Sequence, residues 1–334
     1  MKNHPRIAIL GGGSWATAIV KILSDNIVEK DVYWWLRDAQ SVQHLQEYRH
    51  NPNYLSAVEI KIDKNKISAD IKEIVAQADF ILLNVPAAFL KQTLSSIGPE
   101  HLAGKKIISA IKGIVPEENL IIADYLHQHK KVALEDILVI GGPCHAEEVA
   151  LEKLSYLTLA GINQHLVADF AKLMRTRYIK VNLSDDIFGT EYAAVLKNIY
   201  AMASGICHGL GYGDNFQAVL ISNAIREMKR FVDTVHPINR DINESAYLGD
   251  LLVTAYSQFS RNRTFGHMIG KGYSVSSAQM EMNMIAEGYY ALNCIHGMNE
   301  KYAVFMPICD MAYRVLYQKA TPSIEVAKLV ELLD

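Results

Sequence analysis

A three-glycine turn near the start of the chain constrains the fold more than any other segment. Gly11-Gly12-Gly13-Ser14-Trp15-Ala16 directly follows the predicted strand Arg6–Leu10 and overlaps the start of a helical pattern at Trp15–Leu23. A short strand, a glycine turn and a helix in this order form the phosphate-binding turn G-x-G-x-x-G/A, with Ala16 in the third place. The sequence therefore predicts a strand–turn–helix unit of a dinucleotide-binding fold.

Each residue of this turn has a physical role. Gly11 permits the tight turn, and Gly13 lets backbone amides approach a pyrophosphate. The amides of Ser14 and Trp15 lie at the positive end of the helix, where an anion is stabilised. These four residues are predicted to bind a dinucleotide cofactor.

The end of the second predicted strand bears on which dinucleotide is bound. Val32–Leu36 is followed by Arg37 and then Asp38. An acidic residue at this place usually binds the adenosine ribose hydroxyls of NAD, whereas an arginine accommodates the 2′-phosphate of NADP. Because both residue types stand side by side, both residues are candidates for cofactor binding and the choice between NAD and NADP stays open.

The first half of the chain alternates short β-branched runs with helical patterns. Helices are predicted at Trp15–Leu23, Ala39–Tyr48 and Glu117–Gln128, among others. The predicted strands are Arg6–Leu10, Val32–Leu36, Phe80–Val85, Lys106–Ser109, Ile137–Ile140, Tyr156–Ala160 and Tyr178–Val181. This alternation predicts a Rossmann-type α/β domain over residues 1–186, with a doubly wound, mostly parallel sheet.

The second half of the chain lacks strand signals. Helical periodicity covers residues 187–207, 216–235, 246–258, 278–297 and 300–318, with glycine-rich or polar stretches between them, including Gly266–Ser277. The sequence predicts an all-helical domain over residues 187–334. We expect this domain to bind the substrate and carry the catalytic residues.

Composition excludes several functional classes. The chain has 334 residues with 33 basic and 36 acidic side chains, so its formal net charge is −3 and broad binding to nucleic acid is not expected. It has neither an apolar run of about 18 residues nor a secretory h-region, which predicts a cytoplasmic protein without integral membrane association. The four cysteines, at 144, 207, 294 and 309, lack metal-ligand spacing, and no metal is expected.

Several ordered segments together resemble the NAD(P)-dependent glycerol-3-phosphate dehydrogenase family over nearly the whole chain. They are Gly11–Thr17, Asn51–Leu55, Asn84–Pro86, Lys112–Gly113, Gly142–Ala146, Glu191–Asn198, Gly249–Thr254, Ser260–Gly266 and Ala286–Gly288. The resemblance implies reversible hydride transfer between dihydroxyacetone phosphate and sn-glycerol 3-phosphate, which feeds glycerophospholipid synthesis. One residue departs from the family pattern: Cys144 stands where the family usually has serine or threonine, and a thiol is the weaker donor.

Lys197 is the most informative single residue. It lies in Tyr192–Ile206, a helical segment that is apolar or small on nearly every side and therefore predicted to be a core helix. Burial disfavours the charged form of lysine and lowers its pKa toward neutrality, where proton transfer is efficient. With the resemblance, Lys197 is predicted to be a substrate contact and the general acid that protonates the ketone oxygen, and the base in the reverse direction.

Three further residues are expected around Lys197. Asp250, in a second apolar helical run, is predicted to pair with Lys197, with a helix N-cap as the alternative. Thr254 lies one turn along the same face and is predicted to contact the substrate. Lys112 follows a predicted strand, and the resemblance makes it a second cation at both the substrate and the nicotinamide.

The segment Ser260-Arg261-Asn262 supplies hydroxyl, guanidinium and amide donors in sequence. A phosphate dianion suits such a set, because a planar guanidinium engages two oxygens at once. Gly266, Gly270 and Gly272 then predict a mobile loop that closes over the phosphate.

The resemblance alone implies further contacts. Gly142 and Cys144 are implied at the substrate, and Tyr54, Ala146, Arg261, Ile285 and Glu287 at the cofactor. It admits a homodimer, for which no segment of the sequence gives evidence. Two alternatives remain: a related two-domain reductase of a hydroxy acid or sugar acid phosphate, and a non-catalytic dinucleotide-sensing protein.

Overall fold

The computed structural model describes residues 5–26, 31–282 and 286–334. The chain forms two compact units, Met1–Ile111 with Ile122–Ile187, and Lys112–Ile121 with Phe188–Asp334. The first unit contains the sheet and the second is built from helices. The predicted order, an α/β part followed by a helical part, is confirmed.

The sheet of the first unit has eight strands in the order β3-β2-β1-β4-β5-β6-β7-β8. Their bounds are β1 Ile7–Leu10, β2 Val32–Trp35, β3 Ile67–Ser68, β4 Phe80–Leu83, β5 Lys106–Ser109, β6 Ile137–Gly141, β7 Ser155–Ala160 and β8 Ile179–Ser184. All seven predicted strands are present. The strand order reverses between β1 and β4, the point at which doubly wound sheets bind ligands.

The sequence analysis missed one strand, and one pair of neighbouring strands is antiparallel. The missed strand, β3, has only two residues, too few to show alternation. β7 pairs antiparallel to β6, whereas every other neighbouring pair is parallel. The connection between β6 and β7 contains one short helix, Ala146–Ala150, which spans only ~7.5 Å at 1.5 Å per residue. A parallel return would have to cross the full length of the strand.

The helices of the first unit lie on the connections between strands. They are α1 Ser14–Asn26, α2 Ala39–Tyr48, α3 Ile71–Gln77, α4 Leu90–Thr93, α5 Pro99–Leu102, α6 Ile122–Lys130, α7 Ala146–Ala150 and α8 Gln164–Met174. The predicted helix at Glu117–Gln128 starts too early, because Glu117 and Asn119 adopt positive φ angles of 72° and 54°. This strained turn is closed by a bridge between Val115 and Leu120.

The second unit consists of eight described α-helices. They are α9 Ile187–Gly209, α10 Asp214–Val235, α11 Asp250–Tyr256, α12 Arg261–Gly270, α13 Val275–Glu281, α14 Glu287–Tyr302, α15 Pro307–Leu316 and α16 Pro322–Val330. A π-helical turn at Ser245–Gly249 precedes α11. α9 is buried along most of its length, so it forms the core of the unit.

The predicted mobile loop around Gly266 and Gly270 is wrong. Both glycines lie inside α12, and a Cβ atom added to either would come within 2.3 Å of a carbonyl oxygen of α9. The glycines are therefore required for close packing of two helices. Only Gly272, with a φ of +95°, lies in the turn that follows.

Candidate active site

The glycine turn of the first unit is shaped as the sequence predicts. Gly11 has a φ of +134°, and a Cβ atom at this residue would lie 2.2 Å from the carbonyl oxygen of Asn84 at the end of β4. At Gly13, by contrast, an added Cβ would meet no atom of the described residues within 4 Å. The turn thus combines a tight approach between β1 and β4 with open space above Gly13.

The carbonyls of this turn are held by the protein. They accept hydrogen bonds from Trp34 Nε1 at 2.7 Å, Asn51 Nδ2 at 3.0 Å and Thr17 Oγ1 at 3.0 Å. Because the carbonyls are fixed in this way, the amide side of the turn and the first amides of α1 are oriented together at the positive helix end. Sequence reasoning missed Asn51, although it belongs to the Asn51–Leu55 motif.

A dinucleotide fits the chemistry of this place. Asn84 Nδ2 is buried and has no hydrogen-bond partner among the described residues, and Asn84 lies beside Gly11 where the strand order reverses. A buried amide without a partner is costly unless a ligand accepts its hydrogen bonds. Gly11, Gly13, Ser14 and Trp15 would hold the pyrophosphate of NAD or NADP here.

Arg37 and Asp38 are both exposed after β2. The Asp38 carboxylate caps α2: it accepts hydrogen bonds from Gln40 N at 3.3 Å and from Ser41 N and Oγ at 2.9 and 2.6 Å. The Ser41 hydrogen bonds lower the pKa of Asp38. The carboxylate predicted to bind ribose therefore already serves as a helix cap, and both NAD and NADP remain compatible with the site.

The other residues predicted in the first unit have these positions. Gly142 directly follows β6 with a φ of +96°, Cys144 is buried, and Ala146 is the first residue of α7. Tyr54 is half-buried. Ile285 lies outside the described residues.

In the second unit, Lys197, Asp250 and Lys112 form one cluster. Lys197 and Asp250 are only 3% and 1% exposed, and Lys197 Nζ donates a hydrogen bond to Asp250 Oδ1. Lys112 Nζ lies 3.7 Å from Asp250 Oδ2. Asp250 is the first residue of α11 and directs its carboxylate to the two lysines, so the pairing predicted from the sequence is present and the N-cap alternative is wrong.

The electrostatics of this cluster favour proton transfer. Burial lowers the pKa of Lys197 to about 7; the Asp250 carboxylate opposes this shift, and the positive charge of Lys112 adds to it. A lysine with a pKa near neutrality both gives and takes a proton readily at physiological pH. The cluster is therefore suited to acid–base chemistry.

Two hydrogen bonds to backbone atoms surround this cluster. Thr254 Oγ1 donates to the carbonyl oxygen of Asp250 at 2.6 Å, so the hydroxyl oxygen can still accept a further hydrogen bond. Asn198 Nδ2 donates to the carbonyl oxygen of Lys112 at 3.1 Å. Sequence reasoning missed Asn198 as a functional position, although it is adjacent to Lys197 in the Glu191–Asn198 motif.

The predicted phosphate segment forms the start of α12. Ser260 is the N-cap, and its Oγ accepts a hydrogen bond from Arg263 N at 3.3 Å, so its hydroxyl has a capping role. Arg261 is exposed at the first helical position. Asn262 is buried, and its Oδ1 accepts from Gly288 N at 2.9 Å, which orients the amide group.

Glu287 lies close to these cations at the start of α14. Burial raises its pKa to about 7, while the charges of Arg261, Lys112 and Lys197 oppose the shift. Glu287 thus shares an electrostatic environment with the predicted substrate residues of the same unit.

Within residues 5–26, 31–282 and 286–334, no three His, Cys, Asp or Glu side chains come together as a metal site. The helices in these ranges include none with the length and apolarity needed to cross a membrane. All four cysteines are buried free thiols.

Comparison with known proteins decides the family. The sequence model for the N-terminus of NAD-dependent glycerol-3-phosphate dehydrogenase matches residues 6–167, and the model for the C-terminus matches residues 186–327. The chain belongs to the NAD-dependent glycerol-3-phosphate dehydrogenase family. The resemblance predicted from the sequence motifs is confirmed.

Individual family members match over nearly their whole length. The glycerol-3-phosphate dehydrogenase [NAD(P)+] of Bacillus subtilis is 32% identical over 323 residues, which cover 96% of this chain and 93% of that protein. The Exiguobacterium protein of the same name is 33% identical over 328 residues, covering 97% and 94%. The crystal structure of glycerol-3-phosphate dehydrogenase from Coxiella burnetii superposes with a TM-score of 0.90 at 29% identity, covering 98% and 99%.

Proposed function

We propose that the chain catalyses the reversible reduction of dihydroxyacetone phosphate to sn-glycerol 3-phosphate with NADH or NADPH. The buried cluster of Lys197, Asp250 and Lys112 carries this proposal, because it sets a proton donor of near-neutral pKa within a unit of the glycerol-3-phosphate dehydrogenase family. The reduced nicotinamide, when bound, supplies a hydride to the ketone carbon.

Lys197 supplies the proton that completes the reduction. Its Nζ protonates the ketone oxygen as that oxygen gains negative charge, and in the reverse direction it takes the proton from the hydroxyl. Asp250 holds Nζ through its hydrogen bond and stabilises the ammonium form. Lys112 adds positive charge beside the developing oxyanion and limits how far the pKa of Lys197 rises.

The start of α12 binds the phosphate group. The exposed guanidinium of Arg261 offers paired donors, and the amide of Asn262 is oriented by its bond to Gly288. Ser260 contributes as the cap that orders this helix end. The dianion also gains from the positive end of the helix.

The reaction supplies the phosphorylated glycerol from which glycerophospholipids are made. We place it in the cytoplasm, and the four free thiols support a reducing compartment. The homodimer stays a prediction.

A substrate panel tests this proposal against the two alternatives. Purified protein should oxidise NADH or NADPH when given dihydroxyacetone phosphate, and should leave it unoxidised with 2-keto acids that lack a phosphate, because Arg261 and Asn262 suit a dianion. Preference for a keto acid would favour the related reductase. Cofactor binding without oxidation of any substrate would favour the dinucleotide sensor.

The pH dependence should be opposite in the two directions. Reduction needs protonated Lys197, so its kcat should fall as pH rises through about 7, whereas oxidation of sn-glycerol 3-phosphate needs the neutral amine and should rise over the same range. Asp250→Asn removes the charge that raises the pKa of Lys197, so both profiles should move to lower pH. Steady-state kcat measured between pH 5.5 and 9 in both directions, about the range over which such a group titrates, checks this.

Profiles that change in the same sense in both directions would contradict the assignment of Lys197. Glu325→Gln serves as the control, since Glu325 pairs with Arg314 and Lys328 at α15 and α16. Its profiles should match those of the wild type.

A further inference from the structure

Two helices of the second unit meet through glycines, with almost no side chains between their backbones. A Cβ atom at Gly205 of α9 would lie 2.1 Å from the carbonyl oxygen of Arg263 in α12. One at Gly266 of α12 would lie 2.0 Å from the carbonyl oxygen of Met202 in α9. These partner atoms belong to helical backbone and cannot rotate away, so any side chain here must separate the helices.

The contact continues for another turn in both helices. A Cβ at Gly209 would lie 2.4 Å from the carbonyl oxygen of His267, and one at Gly270 would lie 2.3 Å from that of Ile206. We call Gly205, Gly209, Gly266 and Gly270 the glycine crossing. Residue numbers increase together along both helices, so α9 and α12 run in the same general direction.

This direction places two functional residues on the same side of the glycine crossing. Lys197 precedes the contact on α9, and Arg261 precedes it on α12. Any change in the angle or separation of the two helices therefore changes the distance between the proton donor and the phosphate-binding arginine.

A third helix fixes the other end of this arrangement. Gly288, in the first turn of α14, donates a hydrogen bond to Asn262 Oδ1 at 2.9 Å. A Cβ at Gly288 would lie 2.7 Å from the carbonyl oxygen of Asn198, the residue after Lys197. α14 therefore fits between α9 and α12 at the level of Lys197 and Arg261. The glycine crossing joins the two helices farther along, toward their C-terminal ends.

We propose that the glycine crossing positions Arg261 relative to Lys197 and so selects substrates by the distance between ketone oxygen and phosphate. This inference rests on the function proposed above. In dihydroxyacetone phosphate only one methylene carbon and one ester oxygen separate the carbonyl carbon from the phosphorus, so the span between these groups is short, and a misplacement of about 1 Å in a catalytic site costs up to ~10²-fold in rate. The four glycines are positioning residues, because they affect substrate binding only by setting the positions of the two helices.

The structure also indicates which helix moves when a methyl group is added. α9 has 23 residues in the core of the unit, whereas α12 has ten and exposes Arg261 at its start. A Cβ at Gly205 should therefore displace α12 and leave Lys197 in place. The phosphate contact should weaken while proton transfer to an unphosphorylated ketone continues.

Gly205→Ala tests this with two substrates, dihydroxyacetone phosphate and dihydroxyacetone at high concentration. We expect kcat/KM for the phosphorylated substrate to fall by about tenfold or more, and that for dihydroxyacetone to stay within about twofold of the wild type. A substitution that only loosens the fold would lower both values by the same factor. NADH binding and thermal melting establish that the variant is folded.

Gly297→Ala is the matched control, because Gly297 is an exposed helical glycine of α14 whose Cβ would meet no described atom within 4 Å. It should behave as the wild type with both substrates.

Gly270→Ala, at the end of α12, is the second variant and tests the positioning role if Gly205→Ala does not fold. We expect the same selective loss, smaller in size.

Equal losses with both substrates, or no loss with either, would overturn the positioning role. A wild-type protein that does not reduce dihydroxyacetone phosphate would instead overturn the proposed function, before any variant is compared.

Discussion

Lys197→Met should lower kcat for the reduction of dihydroxyacetone phosphate by ~10²–10⁴-fold, the usual contribution of a general acid. The methionine retains most of the length of the lysine stem and is compatible with an almost fully buried position. It removes the Nζ group that donates a hydrogen bond to Asp250 Oδ1, and with it the proposed proton donor for the ketone oxygen. Steady-state kinetics at saturating substrate measure the effect.

NADH binding should be unchanged in this variant, because the glycine turn belongs to the other compact unit. Fluorescence titration of NADH provides that control. The removal of Lys197 also takes away one of the two cations beside buried Asp250 in the described part of the chain, so thermal melting should be recorded with the kinetics. A folded Lys197→Met protein with a kcat near the wild-type value would show that another group supplies the proton.

Arg261→Ala should raise KM for dihydroxyacetone phosphate by roughly 10–100-fold, because a hydrogen-bonded charge pair contributes about 1.5–3 kcal/mol. KM for NADH should change much less, and kcat should fall less than in Lys197→Met, since the acid–base cluster is intact. Arg261 is exposed at the start of α12, so its truncation leaves no cavity in the core. Initial rates over a range of both substrates separate these constants.

Arg263→Ala is the matched control for this experiment. Arg263 lies two residues along the same helix, half-buried, and its backbone amide serves the Ser260 cap in either variant. KM for dihydroxyacetone phosphate should stay within about threefold of the wild type, as for a side chain that touches no substrate. Equal increases in KM for substrate and for NADH in Arg261→Ala would show that the phosphate assignment is wrong.

The parts of the fold that the sequence predicted are those with strong local patterns. Seven strands were found because each is a short β-branched run bounded by breakers. β3 was missed because Ile67–Ser68 is too short for any pattern. The antiparallel direction of β7 was missed because the residue pattern of a strand does not show which way it runs beside its neighbour. The start of α6 was misplaced because the positive φ angles of Glu117 and Asn119 carry no sequence signal.

The candidate site likewise contains some residues whose roles the sequence predicted and others whose roles it did not. The Lys197–Asp250 pair was predictable, because a charged residue in an apolar helix requires a partner. The roles of Asn51 and Asn198 were not, since an asparagine that binds a distant carbonyl leaves no spacing pattern.

The glycines of α12 show the limit of local reasoning most clearly. Gly266 and Gly270 indicate a loop when they are considered alone. Their partners, Gly205 and Gly209, lie about sixty residues earlier on α9, and only the packing of the two helices shows that the glycines permit close contact. Asp38 gives a second example, because its capping of α2 competes with the predicted contact to ribose.

The proposed activity of this chain is the reduction of dihydroxyacetone phosphate with a nicotinamide cofactor. The most direct test follows absorbance at the nicotinamide band and sn-glycerol 3-phosphate together, with purified protein, dihydroxyacetone phosphate and either NADH or NADPH. We predict equal molar amounts of oxidised cofactor and sn-glycerol 3-phosphate with at least one of the two cofactors. No substrate-dependent oxidation with either cofactor, or oxidation without this product, would contradict the proposed activity.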